Sequence, residues 1–227
     1  MVNIATLALN IADKMIAHGS NKEIKSRIKK AIEILSRPGI RFSAHNVMQF
    51  FAKQFVFEET IESALRGRNI KNGLYSFDML GEAAWTMYDA DKYFRSYKSA
   101  LIEIGKRNNK NSVNTANGIS VKLSALHPKY DFMHRERVMS ELLPRVLELV
   151  RIAQQYNIGI NIDAEEADRL EISLDVIAEV MQTIANSSWD GFGVVVQAYQ
   201  KRAPFVIDWL NHNCQKHNLK IMVKNDC

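Results

Sequence analysis

The chain has 227 residues, a formal net charge of +5, 47% hydrophobic residues and 24% charged ones. That is enough to bury a sizeable core, with the composition of an ordinary soluble globular protein. Two cysteines, Cys214 and Cys227, provide neither a disulfide framework nor a metal-ligand spacing, so a reduced, cytoplasmic setting is expected.

From the start, residues 1–70 read as an all-helical N-terminal arm. The opening "MVNIATLALNIADKMIAHG" has no basic n-region and is interrupted by Asp13 and Lys14, so it reads as an amphipathic helix rather than a signal peptide. No stretch has the roughly 18 apolar residues needed to span a bilayer. Apolar positions Ile4, Leu7, Ile11 and Ile16, then Ile24, Ile28, Ile32 and Leu35, fall near helical spacing. Lys22, Lys25, Arg27, Lys29 and Lys30 make a solvated basic face. No aromatic residues interleave with them, so base stacking has no support and no nucleic-acid partner is expected. "RPGI" at 37–40 supplies a helix stop. Two further helices follow in "AHNVMQFFAKQFVF" and "ETIESALRGR", with Met48, Phe50, Phe51 and Phe55 as core.

From Gly73 the pattern changes, and residues 71–227 read as an α/β unit. Short β-favouring runs appear at "LYSFDML" (74–80), "GISVKLSAL" (118–126), "YNIGINIDA" (156–164), "GFGVVVQAY" (191–199) and "LKIMVK" (219–224). Helical stretches separate them, and this regular alternation predicts parallel βα units. "NIGINI" and "GFGVVV" are nearly continuous apolar runs, as expected of strands covered on both faces. Neither common phosphate-binding motif is present; the glycines of "GFGVVV" precede a strand instead of following one.

Each run becomes polar at its C-terminal end: Asp78 and Glu82, then Lys122, Asp163, Gln197 and Lys224. In a (βα)8 barrel the active site is built at that end of the strands. Two chemistries fit the residues. Asp163 and Glu165 on one face would suit paired-carboxylate hydrolysis. Alternatively, Lys122 would fix a substrate carboxylate while Gln197 and Lys224 hydrogen-bond a flat cofactor. Glu165, Glu166 and Asp168 also read as a solvated helix start, where acids favour the positive helix end. Spacing does not choose between the two chemistries, and for Glu165, Glu166 and Asp168 the solvated helix start is the expected account.

The segments "YSFDMLGEAA", "GISVKLSALHPKY", "NIGINIDAEEADRLEISLD" and "GFGVVVQAYQKRAPFVIDWL", in this order, resemble bacterial proline dehydrogenase, the flavoenzyme half of bifunctional proline utilisation proteins. The resemblance runs from about residue 60 to 224 and more loosely through the N-terminal region. It implies a TIM-type barrel carrying FAD that oxidises L-proline to 1-pyrroline-5-carboxylate and passes electrons to a membrane quinone, peripherally at the inner membrane. By position, Lys122 resembles the lysine that pairs with the substrate carboxylate, and Asp163 the aspartate beside substrate and flavin, with Ala164 next to it. Gln197 resembles the glutamine on the isoalloxazine ring. Glu82 resembles a substrate-gate glutamate whose arginine partner, in the last barrel helix, has no counterpart here. Lys224 stands where the family has an arginine near the flavin; lysine keeps the charge and loses the planar fork.

After Lys224 the chain reads "NDC" where the family continues with a segment that holds flavin and walls the proline pocket. The expectation is therefore an incomplete barrel: strands one to four and the start of a fifth, truncated by a frameshift, gene split or premature stop. Open first and last strands would invite pairing with another chain. A complementary C-terminal fragment is one expected partner, and a non-catalytic remnant is the alternative. Translating the downstream nucleotides in the other frames is expected to recover the missing segment; failure to find it would count heavily against a frameshift.

Overall fold

The computed structural model describes residues 56, 58, 60–66, 73–108 and 112–226. The chain divides into two compact units, Met1–Glu59 and Thr60–Cys227, and the sheet and its helices belong to the second. The helices expected before residue 60 and the Met48, Phe50, Phe51 and Phe55 cluster lie outside the described residues; "ETIESALRGR" contributes the short helix α1 (Ile61–Arg66).

Five strands form one sheet: β1 (Ser76–Asp78), β2 (Gly118–Val121), β3 (Gly159–Ile162), β4 (Phe192–Gln197) and β5 (Met222–Asp226). They lie in sequence order, and every neighbouring pair is parallel. Between them run the helices α2 (Met87–Lys106), α3 (Leu143–Tyr156), α4 (Leu170–Thr183) and α5 (Ala203–His217). Parallel strands need a crossover, and a helix supplies it. An order that never reverses is that of a singly wound sheet, as in the wall of a βα barrel, whereas a doubly wound sheet has a switch point. The fifth strand runs two residues past the expected "IMVK".

Local sequence explains where the helices begin and end. Thr86 caps α2: its hydroxyl oxygen accepts the Asp89 N–H at 3.1 Å, and Asp89 Oδ2 accepts the Thr86 N–H at 3.0 Å. Helices α3 and α5 both end at an asparagine in the left-handed region, Asn157 (φ 50°) and Asn218 (φ 51°). In each, the next N–H turns back to the last helical turn, Ile158 to the Ala153 carbonyl at 3.0 Å and Leu219 to the Cys214 carbonyl at 2.9 Å. The chain is thereby aimed into β3 and β5 within a few residues.

Alternation along the strands separates two faces. Ile119, Val121, Ile160, Ile162, Phe192, Val194 and Val196 face the helices and are buried. They pack against Leu101, Leu149, Val176, Val180 and Leu210 of the four long helices. The opposite face carries Ser76, Ser120 and Asn161, with Asp78, Lys122, Asp163, Gln197 and Lys224 above them, matched by the strand register. Ser76 and Ser120 hydroxyls are 3.3 Å apart, and Asn161 Nδ2 donates to Ser76 Oγ at 3.5 Å. A Cβ on Gly193 would lie 1.9 Å from Asn161 Oδ1, so glycine at that strand position makes room for the asparagine.

On the outside, the Phe94 ring of α2 lies between the Lys98 ammonium, at 5.5 Å, and the Arg145 guanidinium of α3, at 5.6 Å. Lys98 also pairs with Glu148, and Arg145 with Asp91, so α2 and α3 are joined by charges over an aromatic ring. No helix among the described residues is long and apolar enough to cross a membrane. Ile160 has 0% exposure in the middle strand, so Ile160→Ala is expected to cost about 2–5 kcal/mol, read as a fall in the urea midpoint. Exposed Lys201→Ala should stay within about 0.5 kcal/mol of wild type.

Candidate active site

Three strand ends meet at one lysine. Asp78 is the last residue of β1, and Lys122 and Asp163 directly follow β2 and β3. Neighbouring strands stand close enough for the three side chains to touch. Lys122 Nζ donates to Asp78 Oδ1 at 2.7 Å and Oδ2 at 2.6 Å, and pairs with Asp163 Oδ2 at 3.2 Å. The Lys122 side chain is 16% exposed, Asp163 19% and Asp78 55%. Burial works to lower the lysine pKa, but hydrogen bonds and charge from Asp78 and then Asp163 outweigh it and hold the amine above the ordinary lysine range. Lys122 is therefore a fixed ammonium, and the three groups together carry a charge of −1.

Backbone groups freed where the strands stop are taken up by side chains, as buried donors require. The Lys122 N–H donates to the Tyr97 hydroxyl oxygen of α2 at 3.3 Å. Tyr97 is buried, and that burial pushes its phenol up to about 12. The Asp163 N–H continues the ladder to the Val121 carbonyl at 2.9 Å. Ala164 follows, its N–H donating to Asp163 Oδ1 at 3.1 Å.

Glu165 goes elsewhere. Its Oε1 accepts the Ser124 N–H at 3.0 Å, and its Oε2 faces Arg169 Nη1 at 3.4 Å. Its carbonyl accepts from Gln197 Nε2 at 3.2 Å. Burial raises the Glu165 pKa, against the hydrogen bonds from Ser124 and the charge of Arg169, which lower it. Asp163 and Glu165 thus serve different partners, Lys122 and Ser124, and do not face each other as a hydrolytic pair. Nor is Glu165 solvated: its side chain is 9% exposed, whereas Glu166 at 64% fits the solvated reading.

Gln197 ends β4 with its amide held by Glu165 and Gln200. Lys224 lies exposed in β5, one register row below Gln197 on the same face. Glu82 is exposed on the loop after β1 and makes no ion pair among the described residues. The structure thus brings Lys122 and Asp163 into contact, ties Gln197 to the same loops, and leaves Glu82 and Lys224 at the rim. A cleft between β4, α4 and α5 is lined by Asp163, Ala164, Glu165 and Gln197 at the strand ends as well as by Val194 and Val196 of the helix-facing side, so it adjoins the site and reaches behind the sheet. The described residues hold no cluster suited to a metal ion.

Sequence reasoning placed Asp78 at a strand end without giving it a role, and passed over Tyr97 and Ser124. Asp78 was within reach of inference, because parallel pairing and equal strand-end positions put it beside Lys122. Nothing in the sequence pointed to Ser124.

A singly wound parallel sheet of five strands with helices between them defines an α/β protein, its strand order that of the wall of a βα barrel. The proline dehydrogenase family model matches residues 61–224, and the chain belongs to that family. The bifunctional protein PutA of Klebsiella aerogenes is 43% identical over 98% of this chain, and that of Escherichia coli (strain K12) 42% over 98%. The chain spans 17% of the length of each. A Bradyrhizobium japonicum Proline Utilization A variant superposes with a TM-score of 0.68 at 48% identity, over 74% of this chain and 18% of that one. Proline utilization A from Bdellovibrio bacteriovorus, inactivated by N-propargylglycine, reaches 0.75 over 98% of this chain and 24% of its own, at 21% identity, and shows the likeness of fold.

Ionised Glu165 is disfavoured in the fold, so its folded pKa lies above the unfolded one, and the stability it costs grows as pH rises between the two values. Glu165→Gln keeps an acceptor for Ser124 and removes the titration. From about pH 4 to about pH 7 the urea midpoint of wild type is expected to fall relative to Glu165→Gln; a constant difference would refute the burial effect.

Proposed function

We propose that the chain provides the proline-binding and part of the flavin-binding wall of a proline dehydrogenase, which oxidises L-proline to 1-pyrroline-5-carboxylate. The observation that carries this reading is the half-buried Lys122 ammonium between Asp78 and Asp163. On this reading residues 71–227 are a segment of a (βα)8 barrel, with strands one to five and neighbours of β1 and β5 from outside the described residues.

Proline brings a carboxylate and a ring amine. The carboxylate binds Lys122 by taking the place of Asp78, whose side chain is the more exposed of the two acids. Because the cluster already carries −1, a substrate carboxylate needs further positive charge nearby, and Lys224 on the same face supplies one such charge. Asp163, held by Lys122 and the Ala164 N–H, stays in place as an acceptor facing the bound ring.

The residues fit a flavin by the chemistry of their donor set. The Gln197 amide can both donate and accept, and Lys224 is an exposed cation on the same face, which suits the polar edge of an isoalloxazine ring. Asp163 and Ala164 border that position. FAD, when bound, supplies the hydride acceptor. A quinone would be the final electron acceptor, with the chain cytoplasmic and meeting the inner membrane peripherally. Glu82, at the rim, serves as the substrate gate, with its partner supplied from outside the described residues.

A second reading, a non-catalytic remnant or a half-barrel that needs a complementary fragment, is supported by the exposure of Lys224 and of Val223, at 45%, on β5. One experiment separates the two. The purified chain, mixed with FAD and desalted, is expected to retain visible flavin absorbance that L-proline bleaches; a colourless protein would leave only the remnant reading for the isolated chain. Lys122→Met should raise the proline concentration for half-bleaching by about ten-fold or more, the loss of a charge-assisted contact.

A further inference from the structure

Ser124 lies in the turn Leu123–Ala125, two residues beyond Lys122, and is 3% exposed. Its polar atoms reach both neighbouring loops. Its N–H donates to Glu165 Oε1, on the loop after β3, at 3.0 Å. Its carbonyl accepts the Ala84 N–H at 2.8 Å, and its hydroxyl oxygen accepts the Ala83 N–H at 3.0 Å, both on the loop after β1. One serine thus joins the loops that carry Glu82, Lys122 and Asp163.

The loop it holds is strained. Ala83 has φ 51°, a left-handed conformation that a residue with a Cβ adopts at a cost. Such a conformation persists where its surroundings over-determine it. Among the described residues, the segment 79–85 makes hydrogen bonds to the rest of the fold only through the two amides that Ser124 receives. Trp85 and Leu80 of the same segment are 90% and 78% exposed, and its packing is confined to Met79, to Gly81 against the Tyr93 ring and to Ala84, the residue whose N–H Ser124 receives. Asp78 stands at its start and Glu82 at its centre.

We propose that Ser124 is a positioning residue: it locks the loop after β1 against the ends of β2 and β3, and so sets where Asp78 and Glu82 stand relative to Lys122. The consequence for turnover rests on the proline dehydrogenase reading; the consequence for the loop does not.

Ser124→Ala in the whole chain removes the hydroxyl and leaves the carbonyl that receives the Ala84 N–H. Loss of the Ala83 contact should let that strained residue relax and loosen its neighbour. The expected result is amide exchange at Ala84 faster by about ten-fold, with Leu101 and Ile160 unchanged. Adding Ala83→Gly, which accepts the left-handed region freely, should restore slow exchange at Ala84. In flavin-loaded chain, KM for L-proline should rise about five-fold with kcat within about two-fold.

Unchanged exchange at Ala84, or acceleration spread equally over Leu101 and Ile160, would overturn the lock. A loosened loop with KM unmoved would overturn the positioning role. If wild type itself shows no turnover, the proline reading fails for the isolated chain, and amide exchange at Ala84 still decides whether Ser124 holds the loop.

Discussion

A single ammonium, Lys122, is shared by carboxylates from the two strands on either side of it, and the rest of the site is arranged around that contact. With 16% of its side chain exposed, the lysine has given up most of its water, so its charge must be met by protein groups. Asp78 meets it at 2.6 Å and Asp163 at 3.2 Å. Removing the cation would leave two acids facing each other, and removing either acid would leave the ammonium partly unmet. The arrangement is specific because three consecutive parallel strands end at nearly the same height. A one-residue slip in any of them would turn its site residue toward the helices.

That height is set far from the charges. The left-handed asparagines ending α3 and α5, and the Thr86–Asp89 cap on α2, fix where the helices stop and start. The apolar helix-facing side of the sheet fixes register by burying Ile119, Ile160 and Phe192 together. The inner face is then free to be polar, with Ser76, Ser120 and Asn161 bonded beneath the acid–lysine–acid cluster. Core packing pins one side of each strand and chemistry occupies the other. Ser124, Glu165 and Gln197 in turn join the loops after β1, β2 and β3 and the end of β4 into one hydrogen-bonded unit.

Much of this was legible in the sequence, because strands have a period of two and helices one of 3.6. The five β runs, the four helices between them and the polar strand ends with Lys122, Asp163 and Gln197 follow from pattern alone. Glu165 was misread because "DAEEADR" looks like a solvated helix start, while its partner Ser124 is 41 residues away in sequence. Asp78 was visible as a strand-end acid, and its contact with Lys122 follows only when parallel pairing of β1 with β2 is added to the local pattern. Ser124 and Tyr97 carry no local signal: each serves the site by satisfying or donating backbone hydrogen bonds across the fold.

On the proposed reading, the Lys122 ammonium receives the carboxylate of proline. The most direct test is the nitrogen NMR resonance of Lys122 Nζ, assigned by its absence in Lys122→Met, as L-proline is added to the flavin-loaded chain. A saturable shift is expected with L-proline and none with pyrrolidine, which has the ring amine without the carboxylate. A resonance that stays fixed, or that moves equally with pyrrolidine, would contradict the claim.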